Sequence, residues 1–320
     1  MNEMRAALYD SYGPPDVLYV GTLPKPLPGP GEVLVRVHAT SVNGGELPGR
    51  AGRVRLVTGV LDRGFPKRVG IDFAGEVVAV GEGVTTYGPG DRVWGVPRRF
   101  GAAAEFVAVD TRRLAPAPAN IDLVRAAALP GVGTTAITAL RDKAHLQPGE
   151  RLLVRGASGG VGSVAVQLGH MYGAHVTALA NAKHHDALTE LGADEVLDYR
   201  TTSPADLPRF DVVLDTVGTE FPAYRGLLTR SGRMVAIAFD LDHTFTSLSY
   251  LVGSTVFGGR RVRFFSGDPR ADLLAELTRL TDTGALRPVV DTVFPLAEIA
   301  EAHRVLEAGG VRGKLVIQVS

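Results

Sequence analysis

The sequence contains no cysteine. That single absence removes disulfides, thiol nucleophiles and thiolate-ligated metal sites such as zinc ribbons. An excess of charge is also missing, since Lys and Arg total 34 and Asp and Glu total 34. Without a net field the chain has no electrostatic footprint for nucleic acid or an anionic membrane, and neither partner is expected. No apolar run approaches the ~18 residues a membrane span needs, and the opening MNEMRAALYD lacks the basic-then-apolar order of a secretion signal. The expectation is a cytoplasmic protein acting on small molecules.

What is present argues for two domains, because 320 residues exceed the comfortable size of one core. The first third has short alternating runs broken by Gly and Pro. In GEVLVRVHATSVN the residues Val33, Val35, Val37 and Ala39 share one face, which is the pattern of antiparallel β-structure. After about Ile121 the rhythm becomes strand, helix, strand. RLLVRGA, HVTALA, EVLDY, DVVLDTVG, GRMVAIA and RVRFFSG read as six parallel strands of a doubly wound α/β sheet, a Rossmann domain. Beyond Asp268 come a helix, a strand, a helix and the terminal strand GKLVIQV, which do not extend a nucleotide fold. They are expected to return to the first domain. The predicted division is therefore residues 1–120, completed by 267–320, around an inserted domain at 121–266.

The inserted domain opens on the stretch LLVRGASGGVGSVAVQLG. A Gly-rich turn between a strand and a helix lets backbone N–H groups approach a pyrophosphate at the positive helix end. Ala157, Gly159 and Gly162 occupy the three places of a G-x-G-x-x-G fingerprint, with Ser158, Gly160 and Val161 between them, and one glycine is thus alanine. At the end of the next strand an acidic residue would hold an NAD ribose. Here Asn181 stands in that place and Lys183 follows. A lysine attracts a 2′-phosphate where a carboxylate would repel it, so NADP(H) is the expected cofactor. An ordinary solvated lysine at a helix start is the alternative reading of Lys183.

SVNGGELPGRAG, GIDFAGEVVAVGEGVTTYGPGDRVWG, ALPGVGTTAITAL, GASGGVG, LGADEVLDYR and GVRGKLVIQV carry a resemblance along the whole chain. It resembles the medium-chain dehydrogenase/reductase superfamily in its zinc-independent quinone oxidoreductase branch, which includes zeta-crystallin. The resemblance implies that the β-rich first domain is GroES-like and forms one wall of a cleft, with the Rossmann domain as the other. Zinc-dependent relatives ligate metal through Cys and His at positions occupied here by Asn43 and Ile71, with Glu46 at a nearby Asp position. An aliphatic side chain cannot bind zinc and a neutral amide binds it poorly, so no metal is expected. The resemblance further implies that Asn43 lies near the nicotinamide or the substrate oxygen, that Thr135 lines the nicotinamide pocket, that Tyr199 packs near the adenosine phosphate and that Lys314 lies near the cofactor. Glu46 is a candidate orienting group. Zeta-crystallin-like members have a tyrosine where this chain has Pro48, which removes one proton donor. The insert between Arg53 and Gly70 is a further candidate for substrate contacts.

The expected chemistry is hydride transfer from NADPH to a quinone or to the β-carbon of an α,β-unsaturated carbonyl, with the Asn43 amide or a backbone N–H facing the oxygen that gains charge. Alternatives are an enoyl-thioester reductase or a non-catalytic NADPH-binding protein. Adjacent His184 and His185 point different ways on a helix, while His38 and His303 have no partner at metal spacing, so all four are expected to be structural. Asp72, set in an apolar run, is expected to be a hydrogen-bonded structural carboxylate. RVRFFSG, the last strand of the inserted domain, is the candidate edge for a homodimer.

Overall fold

The computed structural model describes residues 2–54, 64–238, 262–265 and 267–320. Much of the insert singled out between Arg53 and Gly70, namely 55–63, lies outside them. The chain separates into two compact units, Met1–Gly131 with Pro269–Ser320, and Val132–Asp268.

In the first unit, β1 (Glu3–Tyr9), β2 (Tyr19–Pro24), β3 (Glu32–Ser41), β4 (Lys67–Arg68), β5 (Phe73–Val80), β6 (Arg92–Gly95), β7 (Phe106–Asp110) and β8 (Leu114–Pro116) precede the inserted unit. The alternation in β3 does what its pattern requires: Val33, Val35, Val37 and Ala39 are fully buried, and Phe73, Val77 and Leu315 join the three valines in one core. The opposite face of the strand stays accessible at Arg36, which pairs with Glu76 at 3.2 Å, but Thr40 and Ser41 at its end are buried with their hydroxyls hydrogen-bonded to Asp72.

The inserted unit holds β9 (Arg151–Arg155), β10 (His175–Ala180), β11 (Glu195–Asp198), β12 (Phe210–Asp215), β13 (Leu228–Ala236) and β14 (Val262–Phe264). They form a parallel sheet in the order β11-β10-β9-β12-β13-β14, the doubly wound order of a Rossmann fold. Strands of such a sheet are covered on both faces and read as continuous apolar runs; Leu152, Leu153 and Val154 of β9 are all fully buried. Among the described residues β14 forms one edge.

Two last strands return to the first unit. β15 (Val290–Pro295) runs parallel to β16 (Lys314–Gln318), and β16 pairs antiparallel with β3, Val316 standing opposite Ser41. This pairing puts the start of β16 beside the end of β3, two segments from opposite ends of the chain. No helix among the described residues is long and apolar enough to cross a membrane.

Candidate active site

The candidate site residues fall into two constellations, one in each unit. In the inserted unit β9 ends at Arg155 and the chain turns at Gly156, whose φ of +76° is a conformation that side chains disfavour. A Cβ on Gly156 would stand 2.3 Å from Thr216 Oγ1, and one on Gly162 would stand 2.2 Å from the Gly156 carbonyl oxygen. The turn is therefore tight enough only for glycine at both places. The helix Gly160–Met171 begins at once, capped by Gly159 with no side-chain hydrogen bond. Among the described residues the amides of Gly160, Val161 and Gly162 have no protein acceptor, while Ser163 N–H already donates to Gly159 at 2.8 Å. Three unpaired amides at the positive end of a helix suit an anion. Ala157 is buried and its N–H donates back to Leu179 of β10, which fixes the first half of the loop; Ser158 is half-buried beside it.

A buried cation holds the loop from behind. Arg155 Nη1 donates to Asp215 Oδ2 at 3.1 Å and to the Thr219 carbonyl, and Nη2 reaches Thr219 Oγ1 at 2.8 Å and Glu220 at 3.1 Å. Its guanidinium carbon lies 4.0 Å from the Tyr224 ring centroid. Asp215 accepts in turn from the amides of Val217 and Gly218, so the segment that packs Thr216 against Gly156 is fixed at both ends. Nothing in the local sequence singles out Arg155, because its partners lie 60 or more residues away.

Past the end of β10, Asn181 accepts from the Lys183 amide at 3.1 Å and caps the short turn Ala182–His184. The Lys183 side chain is exposed. Tyr199, just beyond β11, donates its amide to Ala180 and is 54% exposed, and the Arg200 guanidinium carbon lies 5.8 Å from its ring centroid. Asn181, Lys183 and Tyr199 thus gather at the ends of two paired strands, and Arg200 adds a second cation that the sequence reading passed over. Thr135 is half-buried on the helix Pro130–Ile137, where a Cβ on Gly267 would come 3.5 Å from its Oγ1.

The second constellation lies in the first unit and joins Asn43, Glu46, Asp72 and Lys314. Glu46 begins the short helix Glu46–Arg50, whose Pro48 falls in the first turn, where a missing N–H breaks no helical bond. Glu46 Oε2 accepts from the Gly70 amide at 2.7 Å and Oε1 from the Asn43 amide at 3.1 Å. Asp72 Oδ1 accepts from both the amide and the hydroxyl of Ser41, and Oδ2 from the Gly131 amide at 3.3 Å; the carboxylate is satisfied, as a structural role requires. Lys314 Nζ donates to the Val42 carbonyl at 2.6 Å and to Asn43 Oδ1 at 2.7 Å. Asn43 Nδ2 faces the Ser41 carbonyl at 3.1 Å and Glu46 Oε1 and Asp72 Oδ1 at 3.4 Å each.

Burial pushes the Glu46 carboxyl up to about 7, helped by the Asp72 charge and opposed by the Gly70 and Asn43 amides and the Lys314 ammonium. Burial likewise lowers Lys314 from its ordinary value, against the attraction of Asp72 and Glu46. Lys314 therefore lies within the Asn43 cluster of the first unit. A zinc ion does not fit this donor set: the Asn43 oxygen already faces an ammonium, both carboxylates accept N–H groups, and Ile71 offers no ligand. Among the described residues no three His, Asp or Glu side chains gather as a metal-binding group.

Residues 29–119 match the alcohol dehydrogenase GroES-like domain and residues 191–317 match the zinc-binding dehydrogenase model. The chain is similar to NAD(P)H oxidoreductase RTN4IP1, a mitochondrial protein of Mus musculus, with 33% identity over 99% of this chain and 89% of that one. It is also similar to the chloroplastic NADPH-dependent alkenal/one oxidoreductase of Arabidopsis thaliana, with 33% identity over 98% of this chain and 79% of that one. Among solved structures, the quinone oxidoreductase from Coxiella burnetii superposes with a TM-score of 0.88 at 28% identity, covering 99% of this chain and all of the other.

Proposed function

This chain belongs to the medium-chain dehydrogenase/reductase superfamily, in its quinone oxidoreductase branch, and from that premise we propose that it is an NADPH-dependent reductase of quinones or α,β-unsaturated carbonyls. When bound, NADPH supplies a hydride from C4 of its nicotinamide. The observation that carries the cofactor assignment is the pairing of a three-amide phosphate cradle with a basic strand end. In this reading the amides of Gly160, Val161 and Gly162 take the pyrophosphate, and the two cations Lys183 and Arg200 near the strand ends, with Asn181 in place of a carboxylate, support a 2′-phosphate contact. Thr135 borders the nicotinamide in this reading.

The choice of acceptor follows from the first unit's cluster and from the relatives. A zinc-bound alcohol dehydrogenase polarises oxygen with a metal, and the Asn43 cluster, whose amide oxygen is taken up by a buried ammonium, does not fit one. An acceptor already activated by conjugation needs less polarisation, which suits quinones and enones. Relatives named for quinone and for alkenal/one reduction lend the same support.

The test is NADPH oxidation followed against a panel of quinones, alkenals and simple aldehydes. Turnover is expected with the conjugated acceptors and not with saturated aldehydes, and Lys183→Ala should weaken NADPH affinity by about tenfold while leaving NADH affinity unchanged. Tight NADPH binding without acceptor-dependent oxidation overturns the enzymatic reading, and equal effects on both nucleotides overturn the 2′-phosphate contact.

A further inference from the structure

Within the cluster of Asn43, Glu46, Asp72 and Lys314, only Asn43 reaches solvent in part; the other three are buried. Asn43 is therefore the member of the cluster most open to a ligand. Which way that amide faces decides what it can recognise, and the chemistry of its neighbours leaves one answer. Lys314 has donors only, so it must face the carboxamide oxygen. The Ser41 carbonyl, Glu46 and Asp72 have acceptors there, so they must face the nitrogen. A flipped amide would set N–H against ammonium and oxygen against two carboxylates.

We infer that Lys314 is a positioning residue of the proposed reaction: it locks the Asn43 amide with its nitrogen turned inward, so that Asn43 offers a ligand an acceptor and takes a hydroxyl or N–H donor from it. The inference rests on the reductase reading for its catalytic consequence but not for its geometry. Both Nδ2 hydrogens already have inward acceptors, and Oδ1 keeps one lone pair beyond the Lys314 bond. The Asn43 amide is thereby removed as a donor to the oxygen that gains charge during reduction. The ammonium has a second function, because it is the one cation of this group beside two buried carboxylates, and burying those unpaired would be costly. Lys314 and Asn43 are 271 residues apart, joined by the β16–β3 pairing.

The geometry is read without any turnover assay. The sequence contains only Asn2, Asn43, Asn120 and Asn181, so selective ¹⁵N-asparagine labelling yields side-chain amide signals few enough to assign by Asn43→Ala. In the full-length wild-type protein the Asn43 NH₂ should exchange with water at least tenfold more slowly than that of Asn2 at the exposed terminus. Fast exchange in the wild type overturns the lock even if no variant folds. Lys314→Met should accelerate Asn43 exchange and lower kcat/KM for the acceptor roughly 10–100-fold, the range for losing a group that orients another. Because Lys314 acts through Asn43, adding Lys314→Met to Asn43→Ala should cost little more than either alone. Unchanged exchange in Lys314→Met, or multiplicative losses in the double variant, overturns the inference. A protein with slow wild-type exchange, accelerated by Lys314→Met, but without turnover on any acceptor would keep the lock and overturn the reductase reading instead.

Discussion

His303 sits fully buried on the helix Ile299–Ala308, and among the described residues neither ring nitrogen has a hydrogen-bond partner. Burial and the nearby Arg50 guanidinium press its proton affinity down to about 3 from an ordinary 6.5. A base depressed on folding gives stability that is present above its unfolded value and is lost as pH falls from about 6.5 toward 3. Glu46 works in the opposite sense. Its raised value means stability present below 4.5 and lost as pH rises through about 7. Replacing His303 with leucine removes two unsatisfied nitrogens and keeps the volume, so little change is expected at pH 7.5 and a gain of several degrees in Tm at pH 5 relative to wild type. Parallel pH profiles for the two proteins would refute this account of the histidine. At this scale the sequence was legible where chemistry is local. Asn43 and Glu46 stood out because they sit three residues apart in a recognisable motif, and Asp72 was correctly expected to be satisfied. The orientation of Asn43 was hidden, since it depends on a lysine at the far end of the chain.

At the scale of elements the glycine-rich loop was the most readable feature, because a strand, a glycine turn and a helix start are all encoded within a dozen residues. Gly156 and Gly162 are required by close approach, and Gly162 shows this most directly: a methyl group there would stand 2.2 Å from the Gly156 oxygen and 2.7 Å from Ala157 Cα. Gly162→Ala should force the turn open, destabilise the protein by about 1–3 kcal/mol and weaken NADPH binding. Denaturant melts and a nucleotide titration measure both effects, and wild-type binding in the variant would mean that the first helical turn does not hold the phosphate. The strand end was less legible. Asn181 stood out as the residue replacing an acid, but its side chain caps the turn that carries Lys183, a local bond that also explains why asparagine suits the position. Arg200 and the Arg155 clamp escaped notice because arginine in a strand or at its end has no distinctive pattern until its partners are known.

For the whole molecule, the change of rhythm near Ile121 and the return of helix-strand pairs after Asp268 were enough to anticipate a doubly wound sheet inserted in a β-rich fold. Pattern could indicate that the last strands belong with the first unit. It could not supply the register that sets Val316 opposite Ser41 and so carries Lys314 to Asn43. The central claim is the proposed reduction itself: a nucleotide held at the glycine-rich loop of one unit, a polar cluster unsuited to zinc in the other, and a reaction in which the cofactor's hydride adds to the acceptor and a proton from solvent completes it. NADPH deuterated at the transferred C4 position, incubated with the enzyme and an enone, tests that claim most directly by mass spectrometry of the product. The account predicts one deuterium bound to the β-carbon of the saturated ketone. Oxidation of NADPH with no deuterium in the product, or no oxidation in the presence of any conjugated acceptor, would contradict it.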